Sequence, residues 1–341
     1  METKNLKNNF SFSHTQFILF GFPGFSDSRH LLIFPFFSIY VVILSGNSII
    51  VYRIWVEKTL QPLMYSLISL LFVVNISCTT AVMPKFLLGL AFYLNQISLN
   101  SCLVQKYFIY FTVMFESSVV IFLALDRYVA ICIPLCYHDI MTKHFLVKFI
   151  ISAFRSVILV SPIVISVSRV HYCNSNIITH FDCENMGLLN LGCGDITKTH
   201  IIGLIVRILI TVIDGSFLFV SYLQILHSAM KIIIGKSRQK ALHTCCTHVI
   251  VAMLIYTCGF ISSMVYRMGS SVFLDIQNLV GAIYFLFPAA VNPIIYGLRV
   301  KEIKLCLQKT YGSKKLKTEG SSLSSQVLVV HHTGQITSKI N

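Results

Sequence analysis

The run Cys246–Tyr266 contains no Asp, Glu, Lys or Arg. As an α-helix it would rise roughly 30 Å, the thickness of the hydrocarbon layer of a bilayer. Six further runs read the same way. The chain is therefore expected to cross a membrane seven times, at about Leu31–Arg53, Leu63–Leu87, Cys102–Leu125, Phe145–Ser168, His200–His227, Cys245–Tyr266 and Leu274–Leu298. Composition agrees: 12% of the 341 residues are charged, where a soluble domain devotes about a quarter, and 55% are hydrophobic. Pro84, Pro288 and Pro293 interrupt two runs, which membrane helices tolerate when neighbouring helices satisfy the freed backbone groups. The predicted fold is an all-α membrane protein built as a seven-transmembrane helix bundle.

A formal net charge of +14 would suit nucleic acid, but the basic residues sit in the loops and the tail. With the N-terminus outside, 17 of the 27 Lys and Arg fall on the inner side and six on the outer. That asymmetry orients the chain N-terminus out and C-terminus in, as a multi-pass protein of the plasma membrane, and no nucleic-acid partner is expected. Residues 1–30 form an outer segment without a signal-peptide pattern, so the first span serves as the insertion signal. Within it Asn9-Phe10-Ser11 is a glycosylation sequon on the accessible side, whereas Asn75-Ile76-Ser77 lies inside a span and is silent. Residues 31–298 form the bundle, with a basic loop over Met230–Ala241. Residues 299–311 form a short amphipathic eighth helix whose Lys and Arg suit anionic lipid, with Ile303, Leu305 and Leu307 facing the bilayer. Residues 312–341, rich in Ser, Lys, Thr and Gly, read as a disordered cytoplasmic tail.

Lys106, Glu116, Arg155, Arg207 and Asp214 fall inside the spans, where an ionisable group marks a buried pair or a function. Arg207 and Asp214, seven residues apart on one helix, are one candidate pair. Glu116 lies about 16 Å along the helix from Arg127, in mid-membrane, and with Asn47 and Asn75 makes a polar core. Asp126-Arg127-Tyr128 closes the third span, placing Asp126 to hold the Arg127 guanidinium in a local ion pair. Cys102, Cys173, Cys183 and Cys193 are the cysteines facing the outer side, and four cysteines allow three pairings. One bridge to the top of the third span would draw the long loop from Arg169 to Thr199 over the bundle as a lid. Beneath it, Ser263 and Arg267 share one face of the sixth span and make a donor pair suited to a carboxylate. Tyr110, Val113, Met114, Val206, Ile210 and Met186 supply an apolar wall. Alternatively, Arg267 snorkels to water or pairs with Asp275. A pore lined by Glu116, Arg155, Arg207 and Asp214 is the competing class, and the absence of an internal repeat weighs against it. No metal-ligand cluster and no nucleophile–base constellation is present, so neither an enzyme nor a cofactor is expected.

These residues carry a resemblance. Asp126-Arg127-Tyr128 and Asn292-Pro293-Ile294-Ile295-Tyr296 resemble the two signatures of rhodopsin-like G-protein-coupled receptors. The string LALDRYVAICIPLCY over 123–137, Lys240-Ala241 with Thr244-Cys245 and His248, Ser221-Tyr222, and PAAVNPIIYGLR over 288–299 are together similar to the olfactory receptors. Glu116-Ser117-Ser118, Arg155-Ser156, Cys183-Glu184-Asn185-Met186-Gly187, Cys193-Gly194-Asp195 and Asp214 resemble the class I, fish-like group. The resemblance implies bridges Cys102–Cys183 and Cys173–Cys193. It also implies an odorant site in the outer half of the bundle and a stimulatory G protein engaged at the inner end. There Asp126, Arg127, Tyr128, Tyr222, Asn292, Pro293 and Tyr296 form the switch, with Tyr222 and Tyr296 packing near Arg127. Asn75 stands where the family has an Asp, which weakens sodium coordination by Glu116. Leu125 and Pro62 are smaller departures.

Overall fold

The computed structural model describes residues 13–57, 60, 63–142, 145–194, 196–231, 235–268 and 273–308. Asn9, Pro62 and the segment from 309 onward lie outside the described residues. Seven helices are long and apolar enough to cross a membrane: α1 (Ile33–Val56), α2 (Leu63–Phe92), α3 (Leu99–Cys132), α4 (Phe145–Ser168), α6 (Thr197–Lys231), α7 (Lys236–Arg267) and α8 (Leu274–Arg299). Between α4 and α6 a single short turn, α5 (Asn185–Leu189), sits in the long loop. A last helix, α9, spans 301–308.

Polarity is distributed as a bilayer demands. Phe34, Trp55, Phe154 and Phe219 stand exposed on the outside of the bundle, a surface that only lipid can cover without cost. Several hydroxyls in the spans are satisfied within their own helices. Ser45, Ser77, Thr79, Ser156, Ser161 and Thr247 each donate to the carbonyl four residues earlier, so their hydroxyls need no partner from outside the helix.

Several boundaries differ from the sequence reading. The third helix continues to Cys132, so Asp126-Arg127-Tyr128 lies inside it. Nothing in 126–132 breaks a helix. Termination waits for Ile133, which precedes Pro134 and leaves helical geometry at φ −137°, ψ 56°. The basic loop is likewise shorter than expected, because α6 runs through Lys231 and α7 begins at Lys236. In α9 the apolar side turns inward. Ile303 and Cys306 are buried in a core with Ile50, Ile54 and Tyr296, Leu307 packs against them, and Leu305 alone of the three apolar residues is exposed. Bundle packing outcompetes lipid here because α9 turns back beneath α1 and α8.

A feature without a local signal caps one end. Three short strands, β1 (Gln16–Leu19), β2 (Gln96–Ser98) and β3 (Ile177–Ile178), pair with β1 at the centre, antiparallel to β2 and parallel to β3. Phe17 and Tyr172 pack edge to face beneath it at 5.5 Å. Two disulfides complete this lid: Cys102–Cys183, with Cα atoms 5.5 Å apart, and Cys173–Cys193 at 5.8 Å.

Candidate functional site: a lidded cavity above a polar relay

The Cys102–Cys183 bridge pins the loop to the top of α3 and carries the residues that follow it across the bundle axis. Glu184 caps α5 by accepting from the backbone N–H groups of Met186 and Gly187. Below α5 lies a cavity of about 120 Å³, near the ~150 Å³ that holds a benzene-sized guest in a dry protein interior. Arg267, Ser263, Tyr110, Val113, Met114, Met186, Val206 and Ile210 all line it, drawn from α3, α5, α6 and α7. Helical periodicity brings them together: 110, 113 and 114 share a face of α3, 206 and 210 a face of α6, and 263 and 267 a face of α7.

The structure adds polar residues that the sequence reading left unassigned. Lys106, fully buried, donates to Asn185 Oδ1 at 3.3 Å, and Asp182 and Glu184 line the same roof. Burial pushes the Asp182 carboxyl up to about 7, with Glu184 adding to the rise and Lys106 opposing it. Burial also raises Glu184, against the N–H groups it accepts. Behind the roof His180 packs edge to face on Tyr266 at 5.1 Å, and burial lowers its imidazole to about 4. The Arg267–Asp275 pair does not form. Asp275 instead accepts twice from the Gly24 N–H at 3.1 Å and anchors the N-terminal segment.

One turn below the cavity a polar network joins four helices. Arg155 of α4 grips both carboxylate oxygens of Asp214 of α6 at 2.6 and 2.7 Å and donates to Ser118 at 2.9 Å. Ser117 donates to Asp214, and the Tyr256 hydroxyl of α7 lies 2.9 Å from Ser117 and 3.2 Å from Asp214. Asp214 therefore pairs with Arg155 and not with Arg207. Arg207 and Asp214 lie two turns apart on one helix, whereas α4 brings Arg155 directly alongside.

The remaining polar core is divided. Asn47 donates to Ile43 and Ala289 carbonyls at 2.8 and 2.9 Å, and Asn75 donates to Asn47 at 3.2 Å, joining α1, α2 and α8. Glu116 is not part of that set. It makes no hydrogen bond or ion pair among the described residues and lines, with Asn75 and Tyr284, a cavity of about 20 Å³. At the far end Asp126, fully buried, accepts from Arg127 Nε at 2.9 Å and from the Tyr137 hydroxyl at 2.6 Å. Burial and the Asp126 carboxylate both raise the Tyr137 phenol. Tyr296 packs edge to face on Phe72 and meets His248 Nδ1 at 3.0 Å, so its contacts are not with Arg127. Tyr222 packs against the same core with its hydroxyl unpartnered, and both amide atoms of Asn292 are unpartnered among the described residues. Tyr128 borders a shallow cleft with Cys132 and His227, and Pro293 packs on the Gly46 position.

Seven spans, a disulfide-pinned lid and a closed Asp126–Arg127 pair make up the frame of the molecule. The family model described as olfactory receptor matches residues 36–314. The chain belongs to the olfactory receptor family. It is 35% identical to human olfactory receptor 52N4 over 89% of this chain and 95% of that protein. It is 35% identical to mouse olfactory receptor 56B34 over 87% and 92%, and 31% identical to human olfactory receptor 51E2 over 91% and 98%. As an olfactory receptor of the class I type, this chain is a multi-pass, odorant-binding member of the G-protein-coupled receptors and not an enzyme.

Proposed function

We propose that this olfactory receptor binds a small carboxylic acid or similarly polar odorant in the lidded cavity. In this reading it sits in the plasma membrane with its N-terminus outside, and it drives a stimulatory G protein that raises cyclic AMP. The observation that carries the reading is the cavity wall. Apolar side chains from α3, α6 and the lid surround a guanidinium, Arg267, that has no acid partner among the described residues, with Ser263 on the same face. A desolvated guanidinium prefers a carboxylate, which it holds with short, charge-assisted bonds.

Transmission follows from the network below. The cavity residues Val206 and Ile210 lie on the helix that carries Asp214, and Ser263 and Arg267 on the helix that carries Tyr256. A ligand that draws α6 and α7 together at the lid end favours one arrangement of the Ser117–Asp214–Tyr256 contacts. Its differential affinity for that arrangement sets the population shift. At the inner end the shift releases Arg127 from Asp126 and frees the guanidinium for a G-protein segment entering between α3, α6 and α7.

The test is a cyclic-AMP reporter cell challenged with acids, alcohols and amines of matched size, with and without the stimulatory G protein. Acids are expected to act only with the G protein present, and Arg267→Ala to abolish the response while surface staining persists. Unchanged acid potency in that variant, or a ligand-gated current without the G protein, would overturn the reading.

A further inference from the structure

Arg207, like Glu116, is an intramembrane ionisable group that no contact among the described residues explains. Its guanidinium makes no hydrogen bond and no ion pair among the described residues, and its Nε is fully buried without a partner. Asp214, two turns along the same helix, is held by Arg155. The site is nevertheless shaped around Arg207. A Cβ at Gly259 would stand 2.7 Å from Arg207 Nη2 and 3.0 Å from the Tyr284 ring, so α7 carries glycine where the guanidinium lies against it. Arg207, Gly259 and Tyr284 all line the lidded cavity. An unpaired cation at this depth is expensive unless something it binds neutralises it.

We infer that Arg207 is a second anion-binding subsite at the floor of the cavity, and that the ligand it serves is a short dicarboxylic acid held between Arg207 and Arg267. This rests on the acid reading of the cavity and goes beyond it. The placement fits. Arg267 Nη2 lies 3.5 Å from where a Cβ at Gly203 of α6 would stand, and Arg207 Nη2 lies 2.7 Å from where one at Gly259 of α7 would stand. Gly203 is one turn from Arg207 and Gly259 one turn from Ser263, so both guanidinium groups sit between the same two helices. A short flexible diacid can place one carboxylate on each. Charge agrees in sign: three cations, Lys106, Arg207 and Arg267, line the cavity against two acids, Asp182 and Glu184.

The experiment compares hexanedioic acid with its monomethyl ester, a molecule of the same length carrying one carboxylate. The readout is the half-maximal concentration for cyclic AMP in receptor-expressing cells, with surface staining alongside. In the wild type the diacid is expected to act at a concentration roughly ten- to a hundredfold below the monoester, the worth of one charged hydrogen-bonded contact. Arg207→Gln should erase that gap by shifting the diacid alone, and Arg207→Lys should restore part of it. Equal potency of diacid and monoester in the wild type overturns the inference without any variant and leaves the acid reading intact. So does an Arg207→Gln receptor in which both compounds weaken alike, since that is the mark of a structural role. If neither compound acts on a wild-type receptor present at the surface, the acid reading falls and this inference with it.

Discussion

Asp182 and His180, two residues apart in the lid, respond oppositely to acid. Burial raises Asp182 to about 7, so the folded lid binds its proton more tightly than the unfolded chain does. That contribution is present at low pH and is lost as pH rises through about 7. Burial lowers His180 to about 4, so the folded lid resists its protonation, and that contribution is lost as pH falls through its ordinary range toward about 4. Glu184, raised by burial, acts in the sense of Asp182. In His180→Gln, hydrogen exchange of the α5 amides is therefore expected to slow as pH falls from about 7 to about 4, after correction for the intrinsic rate. Asp182→Asn should weaken that trend or reverse it. Parallel pH profiles in the two variants would contradict the assignment.

At the scale of elements, α9 gives the sharpest contrast between pattern and packing. Its alternating apolar residues read as a lipid-facing stripe, yet Ile303 is fully buried and Leu305 is exposed. Ile303→Ala should cost about 2–4 kcal/mol of stability, as large-to-small changes in cores do, whereas Leu305→Ala should be nearly neutral. Thermal unfolding of the detergent-solubilised receptor measures both, and equal losses would place α9 on the membrane surface instead. The same contrast explains what the sequence could and could not reveal. The spans were legible because each run satisfies its backbone internally and shows its character locally. The cavity wall was legible because 110, 113 and 114, or 206 and 210, follow the helical repeat. The sheet was not, since strands of two to four residues pair across the whole first half of the chain. Nor was the partner of Asp214, because Arg155 lies 59 residues away and only the packing of α4 on α6 selects it over Arg207.

For the molecule as a whole, the Arg155–Asp214 pair is where four helices meet in a medium that does not solvate charge. Removing one partner leaves the other unpaired in that medium, at a cost of up to about 3–5 kcal/mol, the larger when the fully buried Asp214 is the one left. Asp214→Asn should therefore deplete receptor from the cell surface. The double variant Arg155→Met with Asp214→Leu, which removes both charges, should recover surface level but not the ligand response. Equal surface loss in the single and double variants would show that the pair contributes packing volume alone.

The small sheet also sets a calendar for assembly. Its central strand, β1, is synthesised first, yet His14 beside it bonds to a carbonyl 160 residues downstream. At ribosomal speeds of roughly 5–20 residues per second that interval lasts about 8–30 s. The first neighbour, β2, is made about halfway through that interval, and four spans must be threaded before the second, β3, arrives. The sheet thus closes only after half of the chain has been made, although its middle strand is among the first pieces synthesised.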